Sequence, residues 1–377
     1  MPASHCAGRN APARDSRVLA RAGTVLSGLG LAVAIACAGG PVPATTTPAT
    51  PPAGLRVEWG MVIHGGAGSR TPPNWNAQQQ AVREAAIAGA LRAGHAILAA
   101  GGSSLDAVQA AIVLLEDDST FNAGRGAVLN AEGRNELDAA LMDGPTLRVG
   151  TVAGVQRVRN PILLARAVMD RSEHVMMIGD GAEQFARLVD IELVDPGYFR
   201  TEAAVRALER QRASEQRRVD SAAAAPAAPP AREGAAGWSD SHYGTVGAVA
   251  LDRQGRLAAG TSTGGRTNKR YGRVGDVPII GAGTYANADC GVSATGHGEW
   301  FIRYTVARDI CVGVQYRGQA IAAAADSIMF RVFDPIPVDG GVIGMDRNGA
   351  IAMSFNTASM PRGYVGPDGA PRVWLTR

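Results

Sequence analysis

The sequence predicts an α/β protein built in layers, with helices packed on the outer faces of antiparallel sheets. Three observations support this class. Helical and strand-like segments are mixed up to about residue 218, strands joined by short turns follow residue 244, and two helices then precede a last hairpin. The order has neither the βαβ alternation of a Rossmann fold nor a repeat period. With 377 residues, 46% of them hydrophobic, the chain can bury a large core.

The first half of the chain is predicted to be mainly helical. An apolar strand over residues 57–63 leads into a glycine loop at 64–68, and helical periodicity begins soon after it. The predicted helices cover residues 77–99, 104–116 with Ser104 as cap, 160–171, 180–189 and 200–218. Strands are predicted over residues 145–158 and 174–178.

The second half is predicted to contain hairpins and two helices. Residues 253–255 and 347–349, which read Arg-Gln-Gly and Arg-Asn-Gly, are turn sequences that can join antiparallel strands. The predicted strands cover residues 245–252, 256–262, 277–283, 291–295, 341–346 and 350–355, and the predicted helices cover 298–312 and 317–331.

The N-terminus has the composition of an export signal. Residues 1–21 are rich in arginine, and a short apolar run of small residues then reaches Cys37, so residues 1–37 are interpreted as a secretory signal. The run is shorter than the ~20 residues that a membrane-spanning helix needs. Its last four residues, Ala34–Cys37, resemble a lipobox, so lipidation of Cys37 and ordinary cleavage nearby both stay open. We expect an exported protein, periplasmic or lipid-anchored; an unprocessed cytosolic extension is the alternative.

Two segments have the composition of linkers. Residues 38–56 are rich in proline and threonine and are predicted to be an extended tether before a domain over 57–377. Residues 219–240 contain an alanine- and proline-rich stretch and are predicted to be flexible. A flexible linker inside a domain is unusual and needs a reason.

Charge and cysteine content exclude some classes. The net charge of +3 has no concentrated basic patch behind it, so we expect no nucleic-acid partner. Outside the leader, the two cysteines Cys290 and Cys311 lack metal-ligand spacing. We expect two buried thiols, since free cysteine is often buried, and a single disulfide is the alternative.

Glycine-flanked polar residues are concentrated in four segments after residue 243. The segments are GTVG at 244–247, TSTGG at 261–265, GRVGD at 272–276 and ATGHGE at 294–299. Each places a hydroxyl or a charge beside glycine near a predicted strand end. At such positions a ligand can approach the backbone closely.

Thr245 is the candidate nucleophile among these residues. A threonine hydroxyl needs an adjacent base, and the residue's own α-amine can supply it once threonine is the first residue of a chain. Such an amine has a pKa of about 7.7–8.0, so it accepts a proton near neutral pH. The chemistry requires cleavage between Gly244 and Thr245. The predicted linker before this bond would let the new chain end move away.

Taken together, the motifs resemble the plant-type asparaginase/isoaspartyl peptidase family of N-terminal-nucleophile (Ntn) hydrolases. The resemblance runs from about residue 58 to the C-terminus. It implies a four-layer αββα sandwich, cut into an α subunit that ends at residue 244 and a β subunit over 245–377. The matching segments are GTVGAVALD (244–252), STGG (262–265), GRVGD (272–276), GAGTYAN (281–287), TGHGE (295–299), HGGAG (64–68), FNAGRGAVLN (121–130) and LDAALMDG (137–144).

The resemblance also implies a role for each matching residue. Thr245 would be the nucleophile and, through its amine, the base. Thr263 would support the nucleophile and its self-cleavage, Arg273 would bind the substrate α-carboxylate, and Asp276 would bind the substrate α-ammonium. Thr295 and Gly296 would form an oxyanion hole. Gly298 would contact the substrate, and Asn122 would lie near the nucleophile's amine.

The implied reaction is attack on a side-chain amide, followed by hydrolysis of a β-aspartyl acyl-enzyme. Its substrates would be small molecules, asparagine or isoaspartyl dipeptides, and no cofactor would be needed for catalysis. Relatives bind a structural sodium ion and form (αβ)2 assemblies, and both are expectations here. The implied sodium ligands are backbone carbonyls of Leu115, Glu116, Asp118, Phe121, Ala123 and Arg125.

Three other functions compete with this one. A glycosylasparaginase, which hydrolyses N4-(β-N-acetylglucosaminyl)-L-asparagine, has similar GRVGD and TGHGE segments, but its nucleophile usually follows aspartate rather than glycine. A tethered binding protein could keep the fold and lack cleavage. An esterase is suggested by G-x-S-x-G around Ser262, with Asp276 and His297 after it. The short spacing and the missing apolar helix after Ser262 argue against the esterase.

Some candidate residues have simpler interpretations. Arg273 and Asp276 could form a surface ion pair, which would contribute less than ~1 kcal/mol. His64 is expected to be structural, and His297 receives no catalytic role.

Overall fold

The computed structural model describes residues 54–224, 244–336 and 338–377. The predicted leader at 1–37 and the tether up to residue 53 lie outside the described residues. The last tether residues pair with the domain, since the Ile351 N–H donates to the Leu55 carbonyl at 2.9 Å. The folded domain therefore begins slightly before the predicted boundary at residue 57.

Helices and strands alternate irregularly along the described chain. The helices are α1 (Ala77–Ala99), α2 (Ser104–Asp117), α3 (Pro161–Arg171), α4 (Gly179–Leu188), α5 (Glu202–Ala224), α6 (Gly298–Tyr304), α7 (Val306–Arg317) and α8 (Ile321–Asp326). The strands are β1 (Gly60–His64), β2 (Leu137–Asp143), β3 (Val149–Val155), β4 (Met176–Ile178), β5 (Val246–Leu251), β6 (Leu257–Thr263), β7 (Thr284–Ala286), β8 (Cys290–Gly296), β9 (Gly340–Asp346), β10 (Ile351–Phe355), β11 (Ser359–Val365) and β12 (Arg372–Thr376). Short 3-10 helices cover Gly124–Gly126 and Pro196–Phe199, and a π-helical turn covers Ser327–Val332.

The strands form two sheets. The larger has the order β12-β11-β1-β5-β6-β2-β3-β4 and the smaller has the order β10-β9-β8-β7. Neighbouring strands are antiparallel except for β3 and β4, which are parallel.

Three buried apolar clusters separate four layers. The first joins α1, α2 and α3 to the outer face of the larger sheet. The second lies between the two sheets, where Val249 of β5 and Ile343 of β9 are buried. The third joins the smaller sheet to α7 and α8, with Val292 and Ile321 among its residues. The structure therefore confirms the predicted αββα sandwich.

Strand alternation decides which residues face the layer between the sheets. Along β5 and β6, Val249 and Leu257 belong to the cluster between the sheets, whereas Ala248 and Ala258 belong to the helix-facing cluster. Because successive side chains point to opposite faces of a strand, Thr263 faces the opposite sheet and Ser262 faces the helices. The predicted active-site threonines thus share one layer.

Several predicted boundaries are wrong. Residues 277–283 form turns rather than a strand, since Gly283 N–H donates back to the Asp276 carbonyl at 3.0 Å. The predicted helix 298–312 divides into α6 and α7 at Thr305, whose φ is 46°. The last predicted helix ends in the π-helical turn. Ser103, not Ser104, caps α2 by accepting from the Asp106 N–H.

The prediction for the linker at 219–240 is wrong at its start. Helix α5 continues to Ala224, so the first residues of this segment are helical. Residues 225–243 lie outside the described residues. None of the helices in the described part of the chain is long and apolar enough to cross a membrane.

The expectation of two free thiols is wrong. Cys290 of β8 and Cys311 of α7 form a disulfide, with their Cα atoms 5.4 Å apart. Cys290 lies on the face of β8 that is covered by helices, so the bond fastens the smaller sheet to its outer helical layer.

We predict that reducing this disulfide destabilises the protein. The bond closes a loop of 21 residues, and loop-closure entropy for such a loop corresponds to about 3 kcal/mol. Urea unfolding should therefore show a lower midpoint with reductant than without it. The double variant Cys290→Ser/Cys311→Ser serves as control, because reductant should leave its midpoint unchanged. Equal midpoints for the oxidised and reduced parent would contradict the prediction.

Candidate active site

The predicted nucleophile lies at the start of β5, beside a second threonine. Thr245 precedes the first residue of the strand, and Thr263 ends the neighbouring strand β6. The register pairs Val246 with Ser262, which brings the two threonines together. Their hydroxyl oxygens are 3.0 Å apart, and both side chains are buried. Thr263 also accepts a hydrogen bond from the Gly265 N–H at 3.0 Å, so its own proton can point to Thr245.

Asn122 holds the peptide bond that precedes Thr245. Its backbone N–H donates to the Gly244 carbonyl at 3.0 Å. Asn122 is itself held by three further hydrogen bonds: its carbonyl accepts from Gly264 N–H, its side-chain amide donates to the Gly265 carbonyl, and its side-chain oxygen accepts from Val128 N–H. The Asn122 N–H is therefore held in a fixed position at the carbonyl next to the predicted nucleophile.

Glycine is required at position 244 by this close contact. A Cβ atom on Gly244 would lie 2.7 Å from the Asn122 backbone nitrogen. Any larger residue would push the carbonyl away from its donor. The resemblance implies that Asn122 lies near the amine of Thr245. In the structure, the Asn122 N–H donates to the Gly244 carbonyl, which adjoins that amine.

The predicted oxyanion residues lie at the end of β8. Thr295 Oγ1 accepts a hydrogen bond from the Ala67 N–H at 3.2 Å, which leaves the Thr295 hydroxyl proton free to donate. Gly296 has a φ of 147°, and a Cβ there would lie 2.5 Å from the Asp339 carbonyl oxygen. The glycine loop at 64–68 thus holds the hydroxyl of Thr295, the predicted oxyanion residue, a contact that the sequence did not reveal.

The structure does not show the ion pair considered for Arg273 and Asp276. Arg273 instead donates through Nε and Nη2 to the two carboxylate oxygens of Glu299, at 2.9 and 3.0 Å. Asp276 is buried, and its Oδ2 has no hydrogen-bond partner among the described residues. A Cβ on Gly298 would lie 2.8 Å from both Arg273 Nη2 and Asp276 Oδ1. Glycine at 298 therefore lets the two opposite charges lie side by side.

Burial and charge shift the pKa values of these acids in opposite directions. Burial raises the pKa of Asp276 to about 7, against the opposing influence of Arg273. Burial would also raise the pKa of Glu299, but its hydrogen bonds and attraction to Arg273 outweigh this and hold the pKa at about 2. Glu299 is therefore the hydrogen-bonded partner of Arg273, whereas Oδ2 of Asp276 has no hydrogen-bond partner among the described residues. A buried carboxylate oxygen without a partner suits a cationic ligand group.

His64 belongs to a buried polar chain behind the site, as expected for a structural residue. Its Nε2 lies 2.9 Å from Ser293 Oγ. Ser293 Oγ lies 2.8 Å from Thr261 Oγ1, and Thr261 Oγ1 accepts a hydrogen bond from the Thr284 hydroxyl at 2.7 Å. Burial lowers the pKa of His64 to about 3, opposed by a contact with the Thr245 backbone, so the ring is neutral. The chain ties together β1, β6, β7 and β8.

Ser262, the nucleophile of the suggested esterase triad, is not accessible to a substrate. Ser262 is fully buried on the helix-facing side of β6, where its hydroxyl donates to the Glu116 carboxylate at 2.6 Å. Burial raises the pKa of this carboxyl to about 8, against the opposing hydrogen bond from Ser262. His297 Nδ1 accepts from the Asp339 N–H at 3.2 Å. The esterase hypothesis is therefore wrong.

The predicted sodium loop begins in the last turn of α2, which contains Leu115 and Glu116. Gly124, with a φ of 47°, turns the loop back so closely that a Cβ there would lie 2.3 Å from the Glu116 carbonyl oxygen. Two of the implied carbonyls already accept hydrogen bonds inside the loop, Asp118 from Phe121 N–H and Ala123 from Gly126 N–H. Among the described residues, no group of three or more His, Cys, Asp or Glu side chains could hold a metal ion.

Comparison with known proteins identifies the family of this chain. A family model described as asparaginase matches residues 57–375, which include every site residue described above. The chain belongs to the asparaginase family. Membership agrees with the resemblance of the motifs and with the αββα architecture of the described residues.

Curated members of the family are similar over most of the chain. The isoaspartyl peptidase of Escherichia coli (strain K12) is 44% identical over 309 residues, covering 81% of this chain and 93% of that protein. The isoaspartyl peptidase/L-asparaginase of Rattus norvegicus is 40% identical over 317 residues, 84% and 89% of the two chains. That of Danio rerio is 37% identical over 301 residues, 80% and 90% of the two chains.

We predict that substrate affinity falls as the pH drops below about 7. The pKa of Asp276 is raised to about 7, so the carboxylate becomes neutral below that pH and loses its attraction for an α-ammonium group. The KM should rise by up to about tenfold per pH unit there. The variant Asp276→Asn should have a high KM without this pH dependence. A constant KM between pH 8 and pH 5.5 in the parent would contradict the prediction.

Proposed function

We propose that this chain is an autoproteolytically activated threonine amidohydrolase that hydrolyses L-asparagine and β-aspartyl (isoaspartyl) dipeptides. One observation carries the proposal. The Thr245 hydroxyl, 3.0 Å from the Thr263 hydroxyl, directly follows a glycine carbonyl that is hydrogen-bonded to the Asn122 N–H at 3.0 Å. The family of the chain and the names of its relatives support the same activity.

Self-cleavage begins with Thr245 and its own preceding peptide bond. The Thr245 hydroxyl, oriented by Thr263, attacks the Gly244 carbonyl carbon, and the Asn122 N–H stabilises the negative charge that develops on the oxygen. The C–N bond breaks as its nitrogen takes up a proton, which leaves an ester. Water then hydrolyses the ester, so that Gly244 gains a carboxylate and Thr245 regains its hydroxyl together with a free α-amine.

Substrate hydrolysis uses this amine as the base. The amine takes the proton of the Thr245 hydroxyl as the oxygen attacks the side-chain amide of the substrate, and the proton passes to the leaving amine. Thr295 and the Gly296 N–H stabilise the oxyanion. The Asp276 carboxylate binds the α-ammonium, and Arg273, whose Nη1 is not used in the pair with Glu299, binds the α-carboxylate. Water then hydrolyses the β-aspartyl ester.

Two alternatives remain within this fold. A glycosylasparaginase is disfavoured because Gly244, which no larger residue can replace, precedes the nucleophile. A silent binding protein of the same fold would stay one chain. Denaturing electrophoresis separates these cases, since the enzyme should give two fragments, of which the β subunit has 377 − 244 = 133 residues.

We also propose that the protein is exported, with residues 1–37 as the signal and Cys37 as a candidate lipidation site. The Cys290–Cys311 disulfide supports an oxidising compartment.

A structural sodium ion would fit the carbonyl-rich loop at 115–125, which Gly124 folds tightly against the end of α2. Two αβ units are proposed to associate as (αβ)2. The intact masses of the purified fragments and of the assembly would test export, lipidation and stoichiometry together.

We predict that Thr245→Ala abolishes both cleavage and activity. The variant should run as a single chain in denaturing electrophoresis, because no hydroxyl can attack the Gly244 carbonyl. The parent should yield a second fragment whose N-terminal sequence is TVGAV. Thr146→Ala, in the exposed turn between β2 and β3, is the control and should be processed completely. A processed Thr245→Ala protein would show that another group cuts the chain.

We predict that Arg273→Ala raises KM and leaves self-cleavage intact. The guanidinium is assigned to the substrate α-carboxylate, and a hydrogen bond to a charged group contributes about 1.5–3 kcal/mol, or roughly 10- to 100-fold in KM. Arg347→Ala, at the exposed turn between β9 and β10, is the control. An unchanged KM in processed Arg273→Ala would remove Arg273 from the site.

A further inference from the structure

Arg273, the residue assigned to the substrate α-carboxylate, lies in a long loop that contains neither helix nor strand. The loop covers residues 264–275 and connects the end of β6 to Asp276. Asn268 and Tyr271 in this loop have φ angles of 62° and 59°, a conformation that few non-glycine residues adopt. Residues of this kind keep their conformation only where the surrounding structure holds them.

The two ends of the loop are held by different parts of the chain. Next to β6, Asn122 accepts from the Gly264 N–H at 3.0 Å and donates to the Gly265 carbonyl at 2.8 Å. Further along, backbone hydrogen bonds of 2.8 and 2.9 Å join residues 268–269 to residues 129–131. The part of the loop next to β6 is therefore anchored separately from the part that leads to the arginine.

Lys269 anchors this second part through a buried side chain. Its side chain is 2% exposed, and its Nζ donates to the Glu136 carbonyl at 3.0 Å. The Glu136 carboxylate lies 3.6 Å from the same nitrogen. Glu136 precedes Gly244 in the chain and Lys269 follows it. After self-cleavage the contact would therefore join the α subunit to the substrate-binding loop of the β subunit.

The choice of lysine at this position is unusual for this chain. Lys269 is the only lysine among 37 lysine and arginine residues. An ammonium is a compact charge with three donors, whereas a guanidinium is a larger planar group. The space around the Lys269 ammonium is small, since a Cβ atom on Gly265 would lie 3.0 Å from Nζ. The site therefore suits a lysine rather than the arginine used elsewhere in the chain.

The Lys269 ammonium and the Arg273 guanidinium face the same glycine. A Cβ atom on Gly265 would also lie 3.5 Å from Arg273 Nη1. Two cations so placed repel each other, and a buried acid offsets the repulsion. Asp138 of β2 is fully buried, and its Oδ2 has no hydrogen-bond partner among the described residues. Burial raises the pKa of Asp138, and attraction to Lys269 and Arg273 opposes the increase.

We infer that Lys269 is a positioning residue, which holds the loop so that Arg273 Nη1 is presented to the substrate α-carboxylate. The inference rests on the role proposed for Arg273. Without the ammonium, Arg273 should be in place in only a fraction of the molecules, and the apparent affinity falls with that fraction. Self-cleavage should continue, because Asn122 holds Gly264 and Gly265 independently of Lys269.

The test compares the variant Lys269→Met with the parent enzyme. Methionine keeps a long unbranched side chain and removes the ammonium. With L-asparagine as substrate, we expect complete self-cleavage, a KM raised by about tenfold or more and a kcat changed by less than about threefold. Hydrogen exchange measured by mass spectrometry should be faster over residues 266–273 and unchanged over β5. A parent-like KM, or parent-like exchange in the loop, would overturn the inference.

Arg270→Met is the matched control for this variant. Arg270 is the next residue of the loop, its side chain is 53% exposed, and it pairs with Glu215 at 3.2 Å. The variant removes one positive charge from the same loop and leaves the buried hydrogen bond intact. Its KM should stay within about twofold of the parent value, because exposed ion pairs contribute little. A KM raised as far as in Lys269→Met would attribute the effect to net charge and would count against the anchor.

A double variant keeps the test decisive if Lys269→Met folds poorly. Lys269→Met/Asp138→Asn removes the cation together with an acid that it attracts, so less buried charge is left without a partner. Its KM should remain raised, because the hydrogen bond to the Glu136 carbonyl is still missing. A KM restored to the parent value would reduce Lys269 to charge balance, and a double variant that does not cut itself would reduce it to folding. Both results would overturn the inference.

The result distinguishes the inference from the proposed function. A processed parent that hydrolyses neither L-asparagine nor a β-aspartyl dipeptide refutes the proposed function. An active parent whose KM rises in Arg273→Ala and stays unchanged in Lys269→Met refutes only the inference.

Discussion

The backbone register of β5 with its two neighbours determines the position of Thr245. Pairing of Val246 with Ser262 on β6 brings the two threonine hydroxyls within 3.0 Å, and pairing of Gly247 with His64 on β1 brings the glycine loop to the same end. A shift of one residue would turn the nucleophile to the helix-facing side, because side chains alternate along a strand. The buried polar chain behind the site, which begins at His64, spans both sheets. A shift in register would break the hydrogen bonds between its polar groups, so the chain opposes the shift.

Small residues let the charged and reacting groups approach each other. Gly244 admits the Asn122 N–H, Gly298 fits between Arg273 and Asp276, and Gly247 lies where a Cβ would come within 1.9 Å of Ser293 Oγ. Each of these contacts is closer than a side chain would allow. At these three positions glycine is explained by close packing around the site rather than by a turn.

The sequence predicts the site better than its surroundings. The motif residues Thr245, Thr263 and Thr295 lie at adjacent strand ends as expected, because local glycine patterns mark where strands stop. Pairings between distant residues have no such local signal, so the Arg273–Glu299 pair was not predicted, and the Cys290–Cys311 disulfide was only the alternative to two free thiols. Strands β11 and β12 were also missed, since proline, glycine and arginine interrupt their apolar pattern; residues 277–283 were misread because their apolar pattern conceals a chain of turns.

The strand order of the larger sheet has a consequence for the two subunits that self-cleavage would create. Counted from the β12 edge, β12 and β11 come from after Gly244, β1 comes from before it, β5 and β6 come from after it, and β2, β3 and β4 come from before it. The subunits are therefore interleaved, and neither could be withdrawn without breaking backbone ladders on several strands. Synthesis as one polypeptide lets these strands pair within a single molecule. Two separately made subunits would have to form the same strand pairs after diffusional encounter.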